Sequence, residues 1–189
     1  MDKKLTEMSL EELWRLFPIF LIEHKAEWSE WFTSEMNLLN QILNEHSVKR
    51  ISHIGSTAIH GIWAKPIIDI LAEVDSDSDI QKMKDLLEIN NYICMSESKM
   101  RMSFNKGYTK NGFADKVYHL HLRIVGDNDE LFFRDYLNEH HETAIEYEKL
   151  KIELWKQFEY NRDAYTKQKT SFVTEITKKA KKEFCNRYD

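Results

Sequence analysis

Apolar positions recur at three- and four-residue steps toward both ends of the chain, and at two-residue steps or in short dense runs in its middle. Trp28, Trp31, Phe32, Met36, Leu39, Ile42 and Leu43 predict an amphipathic helix from Trp28 to His46. Before it, Ser9-Leu10-Glu11-Glu12 reads as a capping box opening a short helix that Pro18 stops. Ile19-Phe20-Leu21-Ile22 reads as a short strand. Val48 to Ile54 and Pro66 to Val74 are predicted strands, joined by a turn carrying Gly55 and Gly61. Asp75-Ser76-Asp77 ends the second, and Ser78 with Gln81 predicts the cap of a helix reaching about Asn90. Further strands are expected over Tyr92 to Met95, Met100 to Asn105 and Val117 to Val125, with a turn across Gly107 to Asp115. Asp127 and Glu130 then cap a helix bearing Phe132, Phe133, Tyr136 and Leu137. From Glu142 to about Arg187 there is neither Gly nor Pro, and two helices are expected, broken near Asn161-Arg162-Asp163.

Strands in the middle and helices at both ends predict one α+β domain, a small mixed sheet with helices packed against it. Residues 1–46 form its helical N-terminal part, 47–126 the sheet core and 127–189 the C-terminal helices. Trp14, Trp28, Trp31 and Trp155 fall at helical spacing and read as core or docking residues.

Composition narrows the function classes. A chain of 189 residues buries enough surface to fold without staples. Cys94 and Cys185 have no metal-site or disulfide spacing, which suggests a reducing compartment. No apolar leader or membrane-length run appears, so a cytoplasmic location without membrane contact is expected. The net charge of -5 argues against bulk nucleic-acid binding, which relies on neutralising phosphates. The basic run Lys178-Lys179 and Lys181-Lys182 reads as a solvated helix end, where cations suit the dipole. Oligomeric state is left open.

The segment richest in chemistry runs from His53 through Gly55-Ser56-Thr57 and Lys65-Pro66 to Asp69-Ile70. Gly55 permits close backbone approach, and the Ser56 and Thr57 hydroxyls with nearby N–H groups suit phosphate oxygens. Asp69, across the turn, is a candidate ligand for a divalent metal bridging those phosphates, and Lys65 would offset their charge. The structural alternative is a tight turn beside a strand-end aspartate bonded to backbone. Glu73 shares a strand face with Asp69 but lies roughly 13 Å along the strand, a secondary metal candidate. His119 and His121 share a face with Arg123. With Asp69 they would form a set suited to zinc, manganese, iron or nickel, or else a half-buried polar face. Arg101 and Lys169 are candidates to reach the pocket or to remain surface charges, and Arg134 with Asp135 reads as a local pair.

The string H-I-G-S-T-A-I-x-G-I-x-A-K-P-I-I-D-I resembles the GrpB family, placed within the nucleotidyltransferase-fold superfamily. His119-Leu120-His121, Phe133-Arg134-Asp135-Tyr136-Leu137, His140, Ala144, Tyr147, Leu150-Lys151, Asp163, Tyr165, Lys169 and Phe172-Val173 extend the likeness over about Phe17 to Ile176. The resemblance implies a mixed sheet of the nucleotidyltransferase type. It also implies nucleotidyl transfer to an unknown acceptor, from a nucleotide or other phosphorylated small molecule. Gly55, Ser56, Thr57, Lys65 and Lys169 would bind its phosphates. Asp69 would be catalytic and metal-binding, and His119 or His121 would bind metal or relay a proton. The metal would be magnesium or manganese, or a transition metal if both histidines are ligands. One position departs from the superfamily pattern: Leu71 stands where a second carboxylate is expected. Two further readings follow, a phosphate-binding module without turnover and a metal-dependent hydrolase using Asp69, His119 and His121.

Overall fold

The computed structural model describes residues 5–43, 48–76 and 78–188. Short helix α1 (Leu10–Leu16) carries the expected capping box: the Ser9 hydroxyl accepts from the Glu12 N–H at 3.2 Å, and the Glu12 carboxylate accepts from the Ser9 N–H. The amphipathic helix α2 spans Glu27–Ile42, and the expected end at His46 lies outside the described residues. Strands β1 (Val48–Ile54) and β2 (Ile67–Val74) follow, then helix α3 (Ile80–Ile89) and strands β3 (Ile93–Glu97), β4 (Arg101–Thr109) and β5 (Gly112–Ile124). Helices α4 (Asp129–Glu139), α5 (His141–Phe158) and α6 (Arg162–Glu183) close the chain. The expected break before α6 is real, with the Asn161 side chain accepting from the Ala164 N–H at 3.0 Å.

The five strands lie in the order β1-β2-β5-β4-β3. Only β2 and β5 pair parallel, so the sheet is mixed. Period-two alternation gives it two unlike faces. Ile68, Ile70, Ala72 and Val74 of β2 join Leu120 and Leu122 of β5 under Trp28, Leu39, Met83 and Leu87 of α2 and α3. The opposite face presents Asp69 and Glu73 beside His119, His121 and Arg123. There Leu71 packs with Ile54 and Leu131, and the C-terminal helices build a second core around Phe133, Tyr147 and Ile176. Because β2 is covered on both sides, its sequence reads as a nearly continuous apolar run.

Four expectations about local structure are corrected. Ile19 to Ile22 is extended but makes only an isolated bridge, Ile22 to Ala64. Helix α3 is capped by Asp79, whose carboxylate accepts from the Lys82 N–H, rather than by Ser78. The stretch Gly107 to Asp115 is not a long turn. Thr109 pairs with Gly112, so the reversal shrinks to two residues, and Gly107 sits at a bulge with φ +90°. A glycine in a strand marks a bulge as readily as a turn, which is why the pattern misled. Finally, Asn128 rather than Asp127 precedes α4, because Asp127 is held by Arg101 at 2.6 Å.

Candidate functional site

At the end of β1 the chain turns so tightly onto β2 that only glycine fits. Gly55 has φ +70°, and a Cβ there would lie 2.2 Å from Asp69 Oδ2. Ser56–Ala58 forms a single 3-10 turn. The Thr57 hydroxyl donates to the Ile67 carbonyl at 3.1 Å and lies 3.0 Å from His53 Nε2, which therefore donates to it. Thus Thr57, 3% exposed, pins the turn across to β2, and its hydroxyl is not available to a phosphate as expected. His53 stacks on Phe32 at 4.9 Å, and its carbonyl accepts from Arg134. Burial pushes the His53 imidazole down to about 4 despite the opposing pull of Asp69, so it stays neutral as a donor. Arg134 and Asp135 do pair locally, and Arg134 also fastens α4 to β1.

Asp69 pairs in register with Ile54 on one side and His119 on the other. His119 Nδ1 donates to Asp69 Oδ1 at 3.0 Å, and its Nε2 faces the Tyr108 hydroxyl at 2.8 Å. Arg162 at the start of α6 donates in turn to the Tyr108 oxygen at 3.4 Å. Directions are consistent along the chain: Arg162 to Tyr108 to His119 to Asp69. Burial pushes the His119 imidazole down, which suits Nε2 as an acceptor. Burial alone would raise the Asp69 carboxyl, but the hydrogen bond from His119 and the nearby His121 ring outweigh it and hold the carboxyl well below its usual range. His121 Nδ1 lies 3.1 Å from Arg123, which can only donate, so its ring proton sits on Nε2, 3.8 Å from Asp69 Oδ1.

Those donor directions test the implied metal. Both imidazoles present N–H groups to Asp69, whereas metal ligands must present lone pairs. Leu71 is fully buried against Ile54 and Leu131 and offers no oxygen. The secondary candidate Glu73 is 1% exposed and committed to Arg50 at 2.5 Å and Asn128 at 3.0 Å. Among the described residues no cluster of three His, Cys, Asp or Glu is arranged to hold an ion. Asp69, His119 and His121 do converge, but as a carboxylate and two donors, and this set does not fit a metal centre.

A cavity of about 210 Å³ lies beside Asp69 and His119, bordered by Ser56, Lys65, Lys151, Arg162 and Lys169. Four cations surround it against the one carboxylate of Asp69. Burial, then the charges of Arg162 and Lys169, push Lys65 down to about 7. Burial and Lys169 do the same to Lys151, which is 1% exposed and donates to the Trp63 carbonyl. Such crowding of like charge is relieved by an anion. Lys65 and Lys169, expected near phosphates, are therefore brought together, while Arg101 is not, being turned to solvent and paired with Asp127. Lys151 and Arg162 were missed as site residues. The signal for Lys151 was its place among Ala144, Tyr147 and Leu154 on the buried face of α5. His121 faces a separate, larger cavity that also borders Asp69.

The GrpB protein family model matches residues 18–179. The glutamate-rich protein GrpB of Alkalihalophilus pseudofirmus is 38% identical over 168 residues, 84% of this chain and 93% of that protein. Protein YqkA of Bacillus subtilis is 30% identical over 92% of this chain, which spans 51% of its length. The crystal structure of GrpB from Enterococcus faecalis superposes with a TM-score of 0.75 at 31% identity, covering 87% of this chain and 99% of that one. The Cid1 poly(U) polymerase bound to MgATP aligns with a TM-score of 0.51 at 11% identity, over 78% of this chain and 46% of its own, a likeness of fold. On the model match and on relatives aligned over most of their length, the chain belongs to the GrpB protein family, built on a fold of the nucleotidyltransferase type.

Proposed function

We propose that the protein binds the phosphate groups of a nucleotide or other phosphorylated small molecule in the 210 Å³ cavity, without requiring a metal ion. The observation that carries this is the ring of Lys65, Lys151, Arg162 and Lys169 around one carboxylate. Arg162 supplies a planar fork for paired oxygens, and the three ammonium groups supply point charge. The Ser56 hydroxyl has no partner among the described residues and adds a donor at the same wall. The volume suits phosphate groups and leaves the remainder of the ligand outside, since cavities for whole ligands run to about 300 Å³ and above. The cations do here the neutralising work that a divalent ion does elsewhere, which accounts for Leu71 in place of a second carboxylate.

Calorimetry with ATP, CTP and GTP in EDTA tests this, repeated with magnesium and manganese. Binding in EDTA, weakened about tenfold by Lys169→Ala, is the expected result. Heat seen only with metal would overturn it. Nucleotidyl transfer is the rival reading, favoured by the contact of Gly55 with Asp69 on this fold. Metal-dependent pyrophosphate release abolished by Asp69→Asn would establish that rival.

A further inference from the structure

Bordering Asp69 lies a second cavity of about 680 Å³ between the sheet and helices α4, α5 and α6, whose lining includes none of the four cations. Its wall is mainly apolar and is contributed by Ile54, Phe133, Tyr147 and Val173. The aromatic part is built rather than incidental. Tyr147 stands edge-on to Phe133 at 5.2 Å and stacks on Phe172 at 5.4 Å, which fixes a flat corner. Asp69 and His121 border the cavity from the sheet.

Lys178, Lys181 and Lys182 line it from α6, with Asp129 and Glu130 from α4. Lys181 is paired with Asp129, and Glu130 is balanced by Arg123 and Arg101. Lys178 and Lys182 are exposed and have no ion-pair partner among the described residues. An apolar chamber large enough for a whole organic molecule, with two uncommitted ammonium groups on one helix, is arranged for an amphiphilic anion.

We infer that this larger cavity is a second ligand site, taking an organic anion whose aromatic body packs against Tyr147 and Phe133 while its acid group meets Lys178 and Lys182. A hydroxyl or amine on that body would find an acceptor in Asp69 Oδ2. Asp69 thus stands between a phosphate-binding cavity and an organic-anion cavity. The inference does not rest on the phosphate reading, because the two cavities share only that side chain.

Anilinonaphthalene sulfonate, an aromatic body with one sulfonate, is the probe. Titration of the full chain should give one saturable fluorescent site. Filling the chamber with Val173→Trp should weaken it about tenfold or more, by occupying the volume the rings need. The double change Lys178→Glu and Lys182→Glu, on exposed positions that leave the fold intact, should weaken it about tenfold at low salt and flatten its salt dependence. Lys169→Ala should leave dye binding unchanged whether or not that variant binds phosphate. Wild-type affinity in both the Val173 variant and the double-lysine variant would overturn the site. So would loss of the dye in Lys169→Ala alone, which would place it in the smaller cavity. If Val173→Trp melts early, the double-lysine variant decides by itself.

Discussion

Gly55 and Lys151 show how single side chains are constrained by the site. At Gly55 both the backbone angle and the space exclude a Cβ, since φ is +70° and Asp69 Oδ2 would lie 2.2 Å away. Gly55→Ala should therefore destabilise the protein by about 2–4 kcal/mol, adding strain to displacement of a half-buried carboxylate held by His119. A urea midpoint unchanged from wild type would contradict that contact. Lys151 acts in the opposite sense. Burial disfavours its charge, and apolar neighbours on α5 surround it. Lys151→Met should raise the melting temperature of the unliganded protein while weakening triphosphate binding about tenfold. A drop in stability without loss of binding would show that its bond to the Trp63 carbonyl outweighs its charge.

At the level of elements, the polar face of the sheet divides into a structural end and a chemical end. Glu73 lies at the structural end, locking β2 to β1 through Arg50 and to the start of α4 through Asn128. Glu73→Gln keeps the shape and removes the charge, leaving Arg50 uncompensated. A loss of about 2–3 kcal/mol is expected, with phosphate affinity unchanged, read by denaturant unfolding and calorimetry on one sample. Asp69 lies at the chemical end, four residues earlier on the same strand face. Most of these elements were legible from periodicity, as were the capping box of α1 and the break at Asn161. The failures were short and local: an isolated bridge, a bulge glycine and two cap residues. Each depends on which neighbour a backbone group meets, which one sequence window does not contain.

For the whole molecule, the crowded cations make stability depend on pH in a definite direction. Lys65 and Lys151 titrate near 7 when folded and near the ordinary lysine value when unfolded. Between those limits the unfolded chain holds more protons, so their unfavourable contribution, complete below pH 7, is relieved as pH rises. The melting temperature of unliganded protein should thus climb from about pH 7 to about pH 9. Saturating phosphate should flatten the slope, because it binds the protonated lysines and raises their folded values toward the unfolded ones. A flat profile with and without phosphate would mean that neither lysine is buried as described.

Sequence by itself determined the α+β character, the Gly55-Ser56 turn leading into Asp69, and the family, because these rest on periodicity and on a contiguous string. Only the tertiary structure decided the chemistry. Lys65, Lys151, Arg162 and Lys169 come from a loop and two helices and meet at one cavity through long-range packing. Likewise, of the two histidines that spacing offered as metal ligands, His119 became a hydrogen-bond donor to Asp69, and His121 points its N–H at the same carboxylate from 3.8 Å. Their neighbours Tyr108 and Arg123 set which ring nitrogen carries the proton, and those contacts exist only once the sheet is assembled.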